Sequence, residues 1–397
     1  MDCLKGMHIA LGCTVPAPVL ARQNAQSRHS MDIDKKISPS GLLSHLMRFW
    51  QLSGAKILLL HDAWSDSPGA PVFTVRGRYT ARGWTDWTQG FRFGSALLQY
   101  DATGDERFLE LGRQGTLASM PRHLTHMGVH DHGFSAVSTY GNLWRLHREG
   151  RLPPDLGEQR LCELALAVSG AVQARRWTAT PDGGFIYSFN GPHSLFVDTL
   201  RSLRVLALAH HLGHVLLEER DREVSLLGRL IAHADCTARY LIYYGEGRDC
   251  YDVPGRVAHE ALFDVLDGSY RCPSTQQGYS PFTTWMRGLG WALLGFAELL
   301  EFVDLLDDAE LEPWGGRRGL SERWLRAARA TADYYIANTP ADGIPYWDTG
   351  APGLQHLGNY LERPADPFNQ HEPVDSSAAA IVAQGLLRLG RCLASSS

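Results

Sequence analysis

The chain has 397 residues, of which 44% are hydrophobic and 20% charged, and its net charge is −5. That balance belongs to a globular protein. The lack of a basic block argues against a nucleic-acid partner, and no apolar run reaches the roughly 18 residues a membrane-spanning helix needs. The length permits two domains, although some architectures of this size form one unit. The seven cysteines, at positions 3, 13, 162, 236, 250, 272 and 392, are an odd number without a CxxC or close pair. They point to neither a disulfide framework nor a zinc site, but to reduced thiols in a cytoplasmic protein.

Residues 1–38 read as a poorly packed leader. After Lys5 the run MHIALGCTVPAPVLA is similar to a weak signal-peptide core, but Pro16 and Pro18 interrupt it, so secretion is the less expected outcome. From residue 39 helical patterning dominates, and 39–397 is expected to be one domain. Helices are expected over 40–53, 90–102, 105–119, 134–149, 156–176, 195–212, 220–244, 284–304, 320–338 and 376–394. Residues 54–78 are ambiguous, and the clearest strand signal is GGFIYSFNG at 183–191. This pattern predicts an all-α domain of paired helices with short strands in the loops; a closed ring of hairpins, a bundle and an open solenoid would read alike.

The stretch TQQGYSPFTTWMRGLGWALLGFAELL, residues 275–300, begins as a polar loop and continues as a helix. Leu289, Leu293, Phe296 and Leu300 form its apolar stripe, and Thr283 or Thr284 is the expected N-cap. Arg287 and Trp291 lie four apart on one face, close to Trp285, Gln276 and Gln277. Indole faces stack on sugar rings, and Arg and Gln meet a carboxylate and hydroxyls. A purely structural use of both tryptophans fits the same pattern.

In GVHDHGFSAVSTY, Asp131 lies between two histidines just before a helix, as either a cap or a catalytic carboxylate. His-Asp-His neighbours rarely converge on one ion, and no HExxH accompanies them, so no metal is expected. Asp198 falls in the apolar run LFVDTLRSLRVLALA, where an acid must be paired, hydrogen-bonded or functional. Burial would raise its pKa and fit it to be a general acid; pairing with Arg201 or Arg204 is the plainer alternative. Asp304, Asp307 and Asp308 have a spacing that suits a magnesium diphosphate, but they sit at a solvated helix end. Neither a phosphate-binding glycine loop nor a GxSxG elbow is present.

Taken together, WTDWTQGF (84–91) with YDATGDERFL (100–109), HDHGF (130–134), VDTLRSL (197–203), TQQGYSPFTTWMRGLGW (275–291) and IPYWD with DSSAAAIVAQGLLRL (344–348 and 375–389) resemble the unsaturated glucuronyl hydrolases of glycoside hydrolase family 88, in the family's order. The resemblance implies an (α/α)6 toroid that removes a terminal 4,5-unsaturated uronic acid from lyase-generated oligosaccharides, without metal or organic cofactor. It implies Asp198 as general acid/base and Asp131 as the second essential carboxylate. Trp87, His259, Gln277, Trp285, Arg287 and Trp291 would bind the sugar. A monomer or weak homodimer is expected.

Three positions depart from the family's pattern. RGLGW replaces the common RGQAW, PFTT replaces an acidic-Ser lead, and Phe189 stands where many members have a tryptophan near the sugar. All three are expected to touch the pocket wall. The alternatives are an unsaturated rhamnogalacturonyl hydrolase acting on pectin fragments, a silent sugar-binding toroid and a metal-dependent toroid such as a diphosphate cyclase.

Overall fold

The computed structural model describes residues 31–395 apart from 32, 35, 65–68, 84 and 85. The signal-like run, Cys3 and Cys13 lie outside the described residues, as do Trp84 and Thr85 of the first motif. Met31, inside the expected leader, packs against the main core.

Helices run in chain order as α1 (Leu43–Trp64), α2 (Thr88–Thr103), α3 (Glu106–Ser119), α4 (His132–Ala136), α5 (Asn142–Arg148), α6 (Leu156–Arg175), α7 (Thr199–Ser202), α8 (Arg204–His211), α9 (Leu226–Tyr240), α10 (Met286–Val303), α11 (Asp308–Leu311), α12 (Gly316–Ala337) and α13 (Ser376–Ser395). Neighbours in sequence pack side by side, α2 on α3, α8 on α9 and α10 on both α12 and α13. The starts of several helices are written in the chain. Asp105, Asp155 and Ser225 each accept a hydrogen bond from a first-turn amide of α3, α6 and α9. Leu289, Leu293 and Phe296 are fully buried on α10, and Leu300 nearly so.

Short strands occupy the loops: β1 (Ala70–Val75) with β2 (Arg78–Arg82), β3 (Trp177–Thr180) with β4 (Gly183–Ile186), β5 (Ser194–Phe196), β6 (Leu216–Glu218) with β7 (Arg222–Val224), and β8 (Glu260–Phe263) with β9 (Tyr270–Ser274). The sheet β5-β8-β9 matters most. Its antiparallel register sets Phe196 opposite Glu260 and Glu260 opposite Ser274. The chain therefore leaves one end of that sheet at Asp198, enters it at His259 and leaves it again at Gln276 and Gln277, which gathers three distant segments.

Several expectations are corrected here. The ambiguous 54–78 region is helix to Trp64 followed by the β1–β2 hairpin. The expected 195–212 helix starts as a strand, because Ser194–Phe196 pairs with β8, and the 220–244 helix likewise starts as β7. Trp285 in extended conformation precedes α10, and neither Thr283 nor Thr284 caps it; the Thr284 hydroxyl instead accepts from the Val257 amide at 3.1 Å. Leu289 is fully buried in the core and Gly290 faces Ile381 and Val382 of α13, so RGLGW alters the core and not a pocket wall. Asp307 caps α11 and Asp308 pairs with Arg317, which gives those acids ordinary structural roles.

Candidate active site

Asp131 and Asp198 each occupy the residue before a short helix, α4 and α7. Among the described residues neither carboxylate caps its helix. The plainer alternatives for Asp198 also fall away: Arg201 pairs with Glu298 at 2.9 Å, and Arg204 donates to the Gly133 carbonyl at 3.0 Å. Both acids are nearly buried, 9% and 8% exposed, and Asp198 Oδ1 has no hydrogen-bond partner among the described residues. A buried carboxylate left without a cap, an arginine or a hydrogen bond on one oxygen is poorly explained by stability alone.

His130 joins the two. Its Nε2 lies 3.7 Å from Asp131 and 3.6 Å from Asp198, ion-pair distances beyond hydrogen-bond length. The ring is stacked on Phe189 and edge-on to Phe196, which holds it between the acids. His132, the other histidine of the triplet, is structural. Its Nε2 donates to the His126 carbonyl at 2.9 Å, so Nδ1 is left to accept from Ser169 at 2.7 Å.

The electrostatics of the trio differ from the expectation. Burial pushes Asp131 up to about 6, with Asp198 and Asp86 adding to the rise while His130 and Arg176 oppose it. Burial also pushes Asp198 upward, but His130, helped by His259, more than offsets it, and this carboxyl ends below its ordinary value. Burial lowers His130, yet the two carboxylates together hold it above the usual imidazole value. Asp131 is thus the acid that keeps its proton up to pH about 6, well above the ordinary carboxyl range, and Asp198 is the anion. Burial alone suggested the reverse, because it left out the cation that the fold places beside Asp198. Two carboxyls with pKa values pushed apart are suited to divide acid and base roles.

The remaining candidates form two walls. On one, Trp291 packs on Phe134 with ring centres 4.9 Å apart, and Trp87 packs on the same Phe134 at 5.8 Å. Phe134 is three residues from Asp131. α2 comes this close because a Cβ at Gly90 would stand 2.4 Å from Ser135 Cα. On the other wall His259 stands edge-on to Trp285, and the Arg287 guanidinium lies 5.2 Å from the Trp285 ring. Arg287 is half-exposed; it donates to Ser377 at 3.0 Å and lies 3.7 Å from Asp375. The Gln276 amide donates to His259 Nδ1 at 3.0 Å, so His259 Nε2 carries the proton and has no partner among the described residues. Burial lowers His259 to about 4, so this donor is neutral. Gln277 is exposed beside it.

Sequence reasoning did not single out His130, Phe134 or Gln173. The first two carry a signal, since they flank Asp131 in HDHGF, whereas Gln173 lies far along α6. Among the described residues His130, Asp131 and Asp198 are the group with three potential ligand atoms within 4.8 Å. A cation there would compete with the proton that Asp131 keeps up to pH about 6 and with the one that His130 holds above the usual imidazole value. A groove of about 1050 Å³ along α1 shares no residue with this site.

The raised pKa of Asp131 predicts a stability effect independent of any substrate. The fold favours the neutral carboxyl, so Asp131 costs nothing below pH about 4, the ordinary value of 3.8. As pH rises from there through about 6, the unfolded chain ionises first and the native state loses about 3 kcal/mol. Asp131→Asn should therefore melt with the native protein near pH 4 and a few degrees above it at pH 7.5. Coincident melting curves at both pH values would refute this assignment.

No protein-family model matches the chain. It is 29% identical over 322 residues to an unsaturated glucuronyl hydrolase of Bacillus sp. (strain GL1), covering 79% of this chain and 69% of that one. It is 24% identical over 307 residues to an unsaturated glucuronyl hydrolase of Formosa agariphila, covering 77% of this chain and 63% of the relative. The chain thus spans about two thirds of the length of these curated relatives. The crystal structure of the Bacillus enzyme, described as responsible for the degradation of glycosaminoglycan, superposes with a TM-score of 0.63 at 24% identity, covering 86% of this chain and 78% of the other. In sequence and in its all-α six-hairpin (α/α)6 toroid, the chain is a homologue of the unsaturated glucuronyl hydrolases.

Proposed function

We propose that this protein is an unsaturated glucuronyl hydrolase, removing the terminal 4,5-unsaturated uronic acid from oligosaccharides left by a polysaccharide lyase. The observation that carries this reading is the convergence of Asp131 and Asp198 on His130, with one acid held near 6 and the other ionised, and with Phe134 of the same HDHGF turn packed on Trp87 and Trp291. Trp87 and Trp291, both part-exposed, offer faces to the sugar ring, Arg287 a cation to its carboxylate and Gln277 a donor to its hydroxyls, while the buried Trp285 packs against Arg287 and the buried His259 against Trp285.

The reaction is hydration of a vinyl ether. The uronate brings negative charge beside Asp198 and excludes water, which raises the proton affinity of that carboxylate. Asp198 then draws on the proton held by the Asp131–His130 pair and delivers it to C4. Positive charge develops at C5 and the ring oxygen. Asp198, anionic again, takes a proton from the water whose oxygen bonds to C5. The hemiketal opens to a C5 ketone, leaving C1 a hemiacetal that releases the remaining sugar. Because the bond broken first is not the glycosidic one, carboxylate separation says nothing of retention or inversion.

The expected result is steady loss of ultraviolet absorbance from an unsaturated chondroitin or hyaluronan disaccharide. One observation favours a second reading. Phe189, stacked on His130 and 46% exposed, stands where the family commonly has the larger tryptophan. Loss of absorbance only with a pectin-derived unsaturated disaccharide would move the protein to the rhamnogalacturonyl class. Binding without loss from any of them would leave a sugar-binding protein. One chain supplies every residue of the proposed site, so a monomer suffices. Among the described residues no helix is long and apolar enough to cross a membrane. Cys162, Cys236, Cys250, Cys272 and Cys392 are free thiols, which favours a cytoplasmic enzyme.

A further inference from the structure

The two carboxylates sit on turns that are distant in sequence, and a single side chain binds both. Gln173 on α6 is fully buried. Its amide nitrogen donates to the His130 carbonyl at 2.8 Å, and its amide oxygen accepts from the His132 backbone at 3.2 Å. These bonds enclose Asp131 from both sides. The second hydrogen of the same nitrogen reaches Ser202 Oγ at 3.3 Å, four residues after Asp198. Ser202 in turn accepts from the Gly133 amide at 2.8 Å. Only one orientation of the amide satisfies all three contacts, since one backbone partner is an acceptor and the other a donor. The Asp131 turn and the Asp198 turn therefore close on each other through Gln173 and Ser202.

We propose that Gln173 is a positioning residue that sets the separation of Asp131 and Asp198 by holding both turns with one amide. Its hydrogen bonds go to the His130 and His132 backbone and to Ser202, not to the carboxylates, so it acts through the chain that carries them. Its place in catalysis rests on the acid-base reading of the pair. Its place in the geometry does not.

Gln173→Leu keeps the side-chain bulk and removes all three bonds. The expected result is a fall in kcat of about 100-fold, the scale of a misplacement near 1 Å, with KM within about threefold of native. Ser202→Ala leaves the Asp131 turn clamped and removes only the link, so it should fall by about tenfold. The double variant should match Gln173→Leu to within about threefold, because both changes break one network. Multiplicative losses, or a KM that rises while kcat holds, would overturn the proposal.

Amide hydrogen exchange gives a readout that needs no turnover. His132 and Gly133 should both lose protection in Gln173→Leu, whereas Ser202→Ala should expose Gly133 alone. Unchanged exchange in folded Gln173→Leu overturns the clamp even if the native enzyme is active. A native protein inert towards every unsaturated uronide defeats the functional reading, and the exchange result still decides the clamp. If Gln173→Leu does not fold, Ser202→Ala carries both arms.

Discussion

Asp198→Asn should lower turnover of an unsaturated disaccharide by about a thousandfold or more while leaving the melting temperature and substrate affinity close to native. The size follows from removing the one group proposed both to give a proton to C4 and to take one from water. General acid-base catalysis alone supplies about 10²–10⁴-fold, and an amide can do neither step. The small effect on folding follows from the surroundings of Asp198. It does not cap α7, and Arg201 and Arg204 are engaged elsewhere, with Glu298 and the Gly133 carbonyl. The native state loses chiefly its attraction to His130. Absorbance at saturating substrate checks the rate, and calorimetric titration of the variant with the same disaccharide checks binding. A variant that keeps a tenth of native activity would remove Asp198 from the chemistry and leave Asp131 as the sole acid.

Much of this site was legible in the chain because its motifs are local. HDHGF brings together an acid, its neighbouring histidine and the aromatic residue that seats Trp87 and Trp291. The long helices were legible too, since a buried stripe such as Leu289, Leu293 and Phe296 repeats at helical period. What failed was non-local. Ser194–Phe196 reads as the start of an apolar helix, and only pairing with β8, more than sixty residues on, makes it a strand. That pairing moves Asp198 from inside a helix to the mouth of a sheet. The charge on Asp198 was missed for the same reason. His130 is adjacent to Asp131 in sequence but reaches Asp198 only through the fold. Gln173 leaves no local trace, because its partners are backbone atoms, which the identities of neighbouring residues do not reveal. Leu289 shows the reverse error, a family position assumed to face the pocket that helix geometry turns into the core.

Gly133→Ala should do more damage than its one added methyl suggests. A Cβ there would lie 1.9 Å from the Ser202 carbonyl oxygen and 2.4 Å from its carbonyl carbon and Cα. All three are backbone, so no rotamer change relieves the clash and α4 or α7 must move. Overpacking of this kind costs about 1–3 kcal/mol and sometimes more. Any relaxation also breaks the Gly133–Ser202 bond and the Arg204 contact to the Gly133 carbonyl. The two turns carry Asp131 and Asp198, so the expected result is joint loss, with a melting temperature several degrees lower and kcat reduced by about 100-fold in the protein that still folds. Gly390→Ala is the matched control. That glycine lies in α13 with nothing within 4 Å of the added carbon, and there the change should be neutral or stabilising by up to about 1 kcal/mol. If Gly133→Ala behaved like the control, the close approach of α4 to α7 would not be what brings the carboxylates together. The spacing of Asp131 and Asp198 would then need another cause than the missing side chain in HDHGF.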